Sequence, residues 1–175
     1  MWFLMECKIS VKAGADVIHV PTNYPTIQEA IHHANSGDTI FVHKRTYYEQ
    51  VVVNKSVSLV GEDRDSTIVD GGNKPGNVIS ITANNVSIQG FTIMRSGTRP
   101  YDCGILVDHC NGIDISRNII TNNYDGISLY SSSNNVFSGN IITNNYDGIS
   151  LYSSSNNVVW DSTISSNNYG GISLY

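Results

Sequence analysis

Apolar residues in the second half of this chain alternate with polar ones in short bursts that return at a fixed spacing. Residues 119–140 read IITNNYDGISLYSSSNNVFSGN and residues 141–162 read IITNNYDGISLYSSSNNVVWDS, one phrase written twice. In Gly-Ile-Ser-Leu-Tyr the alternation sends Ile127 and Leu129 to one face of a strand and Ser128 and Tyr130 to the other. Asn-Val-Phe-Ser and Asn-Ile-Ile-Thr are two further β runs, set apart by Asn-Asn and Ser clusters that suit tight turns. Three short strands per unit, repeated in tandem, predict stacked coils in which each unit covers its neighbour's apolar face. Leucine-rich repeats share this period, but from Asn111 onward there is no Ala, Glu, Gln, Lys or Met to build a helical return segment.

The register extends in both directions. A partial copy from Thr163 to Tyr175 carries one extra residue after Ile164. Backwards, Gly126 falls on Gly104, Ile142 on Ile120, Phe137 on Ile115 and Asn140 on Asn118. The interior should therefore stack Ile105, Ile127, Ile149 and Ile172 in one column and Val107, Leu129, Leu151 and Leu174 in the next. Asn85 to Ile93 matches Gly112 to Ile120 if about five residues loop out within positions 95–102. The pairs Asn122/Asn123 with Asn144/Asn145, and Asn134/Asn135 with Asn156/Asn157, should form amide ladders at the corners.

The first third differs. Thr26-Ile-Gln-Glu29 has the form of a capping box, and Ile27, Ala30, Ile31 and Ala34 follow at helical spacing before Gly37. Strand-like runs surround this helix at residues 17–20, 39–42, 51–53, 57–60 and 67–70. The helix is expected to plug the open N-terminal mouth of the solenoid, as terminal repeats require. The fold class predicted is all-β: a single-stranded right-handed parallel β-helix, three short strands per ~22-residue coil, with a short N-terminal capping α-helix. Residues 1–16 form an extension, 17–76 the cap and first coils, and 77–175 the regular repeats. Ending on Ile-Ser-Leu-Tyr175 without a cap, the chain reads as a truncated frame whose free edge could drive end-to-end self-association.

A family resemblance rests on particular runs: Pro25-Thr-Ile-Gln-Glu-Ala-Ile31, Gly37-Asp-Thr-Ile-Phe-Val42, Tyr47-Tyr-Glu49, Val51 through Gly61, and Thr67-Ile-Val-Asp-Gly71. With the Asn-Asn and Tyr-Asp-Gly-Ile units that follow, these resemble the NosD-type, carbohydrate-binding and sugar-hydrolysis β-helices of the pectin lyase-like superfamily. The likeness runs from about Val17 to Tyr175 and departs at His43-Lys44-Arg45, where relatives usually carry Pro-Gly. It implies an archaeal or bacterial surface or periplasmic protein, and NosD itself implies an association with copper delivery. Motifs of pectin methylesterases, polygalacturonases and pectate lyases are not apparent.

At 175 residues with a net charge of −5, the chain is one elongated domain without the basic stripe that nucleic acid would need. Residues 2–5, Trp-Phe-Leu-Met, are followed at once by Glu6, too short an apolar run for a signal-peptide core or a membrane span. An extracellular or envelope location is therefore implied by the resemblance alone. Cys7, Cys103 and Cys110 are too few and too irregularly spaced for a disulfide framework, and a Cys103–Cys110 pair stays open.

Candidate chemistry lies in outward columns. Tyr130, Tyr152 and Tyr175 form one, Tyr124 and Tyr146 a second, and Asp125 and Asp147 a carboxylate pair beside it. Aromatic faces that stack on sugar rings, flanked by carboxylates and amides that bind hydroxyls, make a polysaccharide or surface glycan the expected partner; the same tyrosines could equally zip coil to coil. The two aspartates read as solvated surface groups, with calcium as the candidate counter-ion and no other cofactor. A catalytic alternative, a lyase, epimerase or hydrolase acting on acidic polysaccharide, would draw on Arg99, Asp102 and His109 around the 95–102 loop. Cys103, His109 and Cys110 offer copper-like ligands, but His109 and Cys110 should diverge on an extended chain, so no metal site is assigned. The reading reached is a non-catalytic carbohydrate-binding or scaffold β-helix module.

Overall fold

A computed structural model describes residues 14–175. The 2–5 apolar run and Cys7 lie outside the described residues. The chain winds into three parallel sheets, so that each coil gives one strand to each. The first sheet stacks Val17–Val20, Thr39–Val42, Ser58–Gly61, Ser87–Gln89, Asp114–Ser116, Val136–Ser138 and Val158–Trp160. The second stacks Arg45–Tyr47, Thr67–Asp70, Thr92–Met94, Ile119–Thr121, Ile141–Thr143 and Thr163–Ser165. The third stacks Val51–Val53, Ile79–Ile81, Cys103–Asp108, Asp125–Tyr130, Asp147–Tyr152 and Gly170–Leu174. Every strand pairing is parallel, as a solenoid without helical crossovers requires.

The register follows the repeat. Ile127 pairs with Ile105 and Ile149, and Leu129 with Val107 and Leu151. Ile105, Ile127 and Ile149 are fully buried, each contributing about 1.5–3 kcal/mol. Ile172 and Leu174 continue the columns in register on the last described strand, where they are exposed. The looped-out residues fall between Met94, level with Thr121, and Cys103, level with Asp125. Gly126 and Gly148 are needed where the coil turns into its long strand. A Cβ on Gly148 would meet Gly171 O at 2.4 Å and Ile164 Cγ2 at 2.6 Å.

The asparagine pairs divide their labour. The first of each pair, Asn122, Asn134, Asn144 and Asn156, turns the corner in the left-handed region at φ 55–59°. The second points inward and links coils. Asn145 Oδ1 accepts from Asn123 N at 3.0 Å and Asn123 Nδ2 at 3.2 Å, and Asn167 Oδ1 repeats this for Asn145. Asn157 Oδ1 likewise accepts from Asn135 N. A third ladder, which the spacing did not announce, joins Asn118 to Asn140.

The cap helix spans Ile27–His33 and packs Ile27, Ala30 and Ile31 over the end of the core beside Val17–Val20, Thr39–Val42 and Val51–Val53. Thr26 Oγ1 accepts from Glu29 N as expected. Glu49, rather than a returning Glu29, takes the next two free N–H groups, of Ile27 and Gln28. The helix ends at His33, short of Gly37, when Ala34 turns to extended backbone. Arg45–Tyr47 is a strand that the sequence pattern did not predict, at the point of family departure, and the buried Tyr47 hydroxyl there donates to Val20 O and His43 O. The strand expected at 57–60 begins one residue later.

Candidate functional site

The outer face of the third sheet carries a groove of about 280 Å³ lined by Pro100, Tyr101, Tyr124, Asp125, Tyr146, Asp147, Tyr152 and Tyr175. The coil repeat builds it. One wall is the stack Tyr124, Tyr146 and Tyr169, with ring centroids 4.9 and 5.2 Å apart. The other is Tyr130, Tyr152 and Tyr175, each step 4.5 Å and within 7° of parallel. The extra residue falls at Asn168 rather than directly after Ile164, since Ser165 still pairs with Thr143 and Asn167 still bonds Asn145; it brings Tyr169 level with Tyr146 and leaves Gly170 to pair with Asp147. Stacked this way, the rings spend their faces on each other and turn edges and hydroxyls to the groove. This corrects the expectation of ring faces laid on sugar: the tyrosines do zip the coils, and the surface offered is rows of hydrogen-bonding edges.

Asp125 and Asp147 form the floor, and here the solvated reading fails. They are 3 % and 4 % exposed. They share the parity of inward Ile127 and Ile149 yet face the groove, because the alternation begins only past Gly126 and Gly148, whose added Cβ would run into inward Ile142 and Ile164; the tyrosine walls cover them. Ser128, Ser150 and Ser173 repeat beside them. Ser128 Oγ donates to Asp125 Oδ2 at 3.1 Å, and Ser173 Oγ to Asp147 Oδ1 at 2.8 Å. Asp125 Oδ1 and Ser150 Oγ are buried without a partner. Burial pushes the Asp125 carboxyl up to about 6; the Ser128 bond opposes this and the Asp147 charge adds to it. Burial also raises the hydroxyls of Tyr124, Tyr130 and Tyr152. The column breaks on both sides, with Cys103 before Asp125 and Gly170 after Asp147.

The loop 95–102 reaches the same groove through Pro100 and Tyr101, whose ring stands edge-on to Tyr130 and Tyr152 at 6.4 and 6.2 Å. Its charged side chains serve the fold. Arg95 pairs with buried Asp70; burial works against that carboxylate, yet the guanidinium and Gly72 N–H bring it below its ordinary value. Asp102 spends its oxygens on Gly76 N at 2.9 Å and Arg99 N at 3.0 Å, with Gly97 packed too close for any Cβ. Cys103–Asp108 then runs extended, so Asp102 and His109 stand roughly 20 Å apart at opposite ends of a strand. Arg99, Asp102 and His109 therefore do not gather at one edge. Cys103 and Cys110 are separated in the same way, far beyond the ~7 Å Cα reach of a disulfide, and both are free and buried.

Copper finds little here. Burial pushes both thiols up, which holds them protonated, and exposed His109 bonds to Asp108 at 2.7 Å. Among the described residues no three His, Cys, Asp or Glu side chains are placed to share a metal ion. The residues present do not fit a copper centre. A larger cleft of about 440 Å³ is lined by Glu62, Asp63, Arg64, Gln89 and Arg117, of which Glu62 accepts from Lys44 N, Asp63 bonds Ser66 and Arg117 bonds Gln89. The sequence reading did not bring Tyr101, Tyr169, Pro100 or the serine row to the tyrosine groove; the serines, repeating in GISLY, and Tyr169, the third copy of Asn-Asn-Tyr, carried a signal, and Pro100 and Tyr101 carried none.

A solenoid of three parallel sheets, each coil giving one strand to each, defines a parallel β-helix. The chain belongs to the NosD family, described as periplasmic copper-binding protein, whose model matches residues 31–175. A cell surface glycoprotein of Methanothermus fervidus is 33 % identical over 127 residues, which is 70 % of this chain and 20 % of that protein. Among solved structures, pectin methylesterase from carrot is similar at a TM-score of 0.64 and 19 % identity, over 87 % of this chain and 52 % of that one. A pectin methylesterase in complex with a hexasaccharide is similar at 0.54 and 14 %, over 86 % and 67 %. At such identities these structures share the fold. The chain spans about a fifth of the length of the surface glycoprotein and about half of the carrot enzyme. The family description and the surface relative agree on an envelope or extracellular setting, and no helix among the described residues is long and apolar enough to cross a membrane.

Proposed function

We propose that this chain is a glycan-binding module of the cell envelope, holding an extended polysaccharide along the tyrosine groove without cleaving it. The observation that carries the reading is the in-register repetition of one polar set, Tyr124-Asp125-Ser128-Tyr130, by Tyr146-Asp147-Ser150-Tyr152. Ring spacings of 4.5–5.2 Å present equivalent hydroxyls at about the length of one sugar residue in an extended chain. A linear polymer with its own repeat is the natural occupant of such a surface. The envelope setting of the family and the surface relative supports it.

Immobilised protein should retain soluble polysaccharide, and Tyr130→Ala/Tyr152→Ala should lose at least tenfold of that retention while releasing no shortened or unsaturated product. Retention unchanged in the double variant would remove the groove from the reading. One observation favours an enzyme as the second reading: a carboxyl at about 6 beside a second carboxylate is the arrangement acid–base chemistry uses. Product release abolished by Asp125→Asn would select it.

A further inference from the structure

The groove floor holds two carboxylates that the fold does not neutralise. Asp125 and Asp147 lie in register on adjacent coils, and the residues lining the groove include no Lys, Arg or His. Serine hydroxyls satisfy one oxygen of each. That leaves Asp125 Oδ1 and Ser150 Oγ, both shut from solvent and making no hydrogen bond of ordinary geometry, with the Ser150 hydroxyl and the Asp147 N–H close enough to Asp125 to favour its charged form. Ser150 is fully buried and pairs in register with Ser128, the serine that holds the other Asp125 oxygen. Elsewhere this chain satisfies its corners with ladders of asparagine amides, so two orphaned oxygens at one point single out a place suited to an incoming donor.

We propose that this point is a seat for a primary ammonium group on the ligand, so that the glycan selected is an amino-sugar polymer with free amines. This rests on the glycan-binding reading. An ammonium brings three N–H donors and one positive charge. Asp125 Oδ1 can take such a donor, Ser150 Oγ can accept one while turning its own hydrogen toward the carboxylate, and the Asp125–Asp147 pair wants charge. Calcium is a poorer match, since it takes six to eight oxygens and the floor supplies two carboxylates under an aromatic rim. A uronate is poorer still, because its carboxylate would face two more with no cation between them. Tyr101 is the lining side chain least committed to the walls; it is 62 % exposed and held at φ 77°, a strained conformation for a bulky residue, and its displacement gives the ligand its way in.

Calorimetric titration of the full chain at pH 6.5 with glucosamine oligomers, their N-acetylated counterparts and galacturonate oligomers tests the seat. The amine oligomer should bind about tenfold or more tightly than the acetylated one, as a charge-assisted hydrogen bond allows, and galacturonate should not bind. Asp125→Asn and Ser150→Ala, each checked for fold by circular dichroism, should erase the preference for the amine oligomer over the acetylated one. Equal binding of the amine and acetylated oligomers, or a preference that survives Asp125→Asn, overturns the seat while the glycan reading stands. If no oligosaccharide binds, methylammonium decides between the two: amide shifts centred on Asp125 and Ser150 keep the seat and overturn the glycan reading, and silence there overturns both.

Discussion

Asp125 works against the stability of the fold at neutral pH. Its carboxyl sits at about 6 in the folded chain against an ordinary 3.8, so the folded state binds the proton more tightly. The resulting stabilisation is fully present below about pH 4, fades as pH rises through 6, and is gone above it; a rise from 3.8 to about 6 makes it on the order of 3 kcal/mol. Asp125→Asn should therefore gain up to that amount at pH 7 relative to the parent, and nothing at pH 4, in urea unfolding followed across the range. A difference that stays flat with pH would place the carboxylate in water after all. The sequence could not show this burial. Period-two alternation put Ser128 and Tyr130 on the outer face but gives Asp125 the parity of inward Ile127, so its outward turn comes from the break in alternation at Gly126; whether that face is roofed depends on ring stacking and on where loop 95–102 lands. Tyr101 arrives from outside the repeat, so no periodicity announced it.

At the level of elements, most of the architecture was legible because a coil repeats its chemistry. Strand positions, the columns through Ile127 and Leu129, the loop insertion and the Thr26 helix all follow from spacing and capping. Arg45–Tyr47 escaped because its single turn of chain lacks an apolar alternation, and its Tyr47 is fixed by hydrogen bonds made across the coil. The corner pairs were foreseen as ladders, but not their split into a turning and a bridging asparagine. That split predicts unequal costs. Asn145→Ala strips acceptors from Asn123 and leaves the carbonyls of Ile120 and Thr143 short of a donor, which should cost about 3 kcal/mol or more. Asn144→Ala removes a short polar side chain that tolerates φ 58°, together with its long bonds to Thr121 Oγ1 and Thr143 Oγ1, at roughly 1–2 kcal/mol. Chemical denaturation of the two single variants compares them directly, and equal losses would refute the division.

For the whole molecule, stability is a sum over neighbouring coils. Ile127→Ala and Ile149→Ala touch in one column and should couple by about 0.5 kcal/mol or more, the threshold for residues in contact. Ile40→Ala and Ile149→Ala lie coils apart and should add within roughly that error. Double-mutant cycles in urea measure both, and strong coupling between the distant pair would show that the solenoid behaves as one globule. Function was less legible than fold at this scale. The repeat located the groove, but the catalytic trio was assembled from neighbours in sequence that one extended strand, Cys103–Asp108, holds apart.

The two nearly identical turns at 119–140 and 141–162 meet each other and their neighbours through the same bonds. Either could be excised, or a third copy spliced in, by unequal crossing-over between the matching stretches of the gene, without a new interface having to be invented. Such an event would lengthen or shorten the tyrosine trough by one rung. Reach along a polymer is then a quantity that inheritance can adjust in whole steps, separately from the stability of the barrel-like body that carries it.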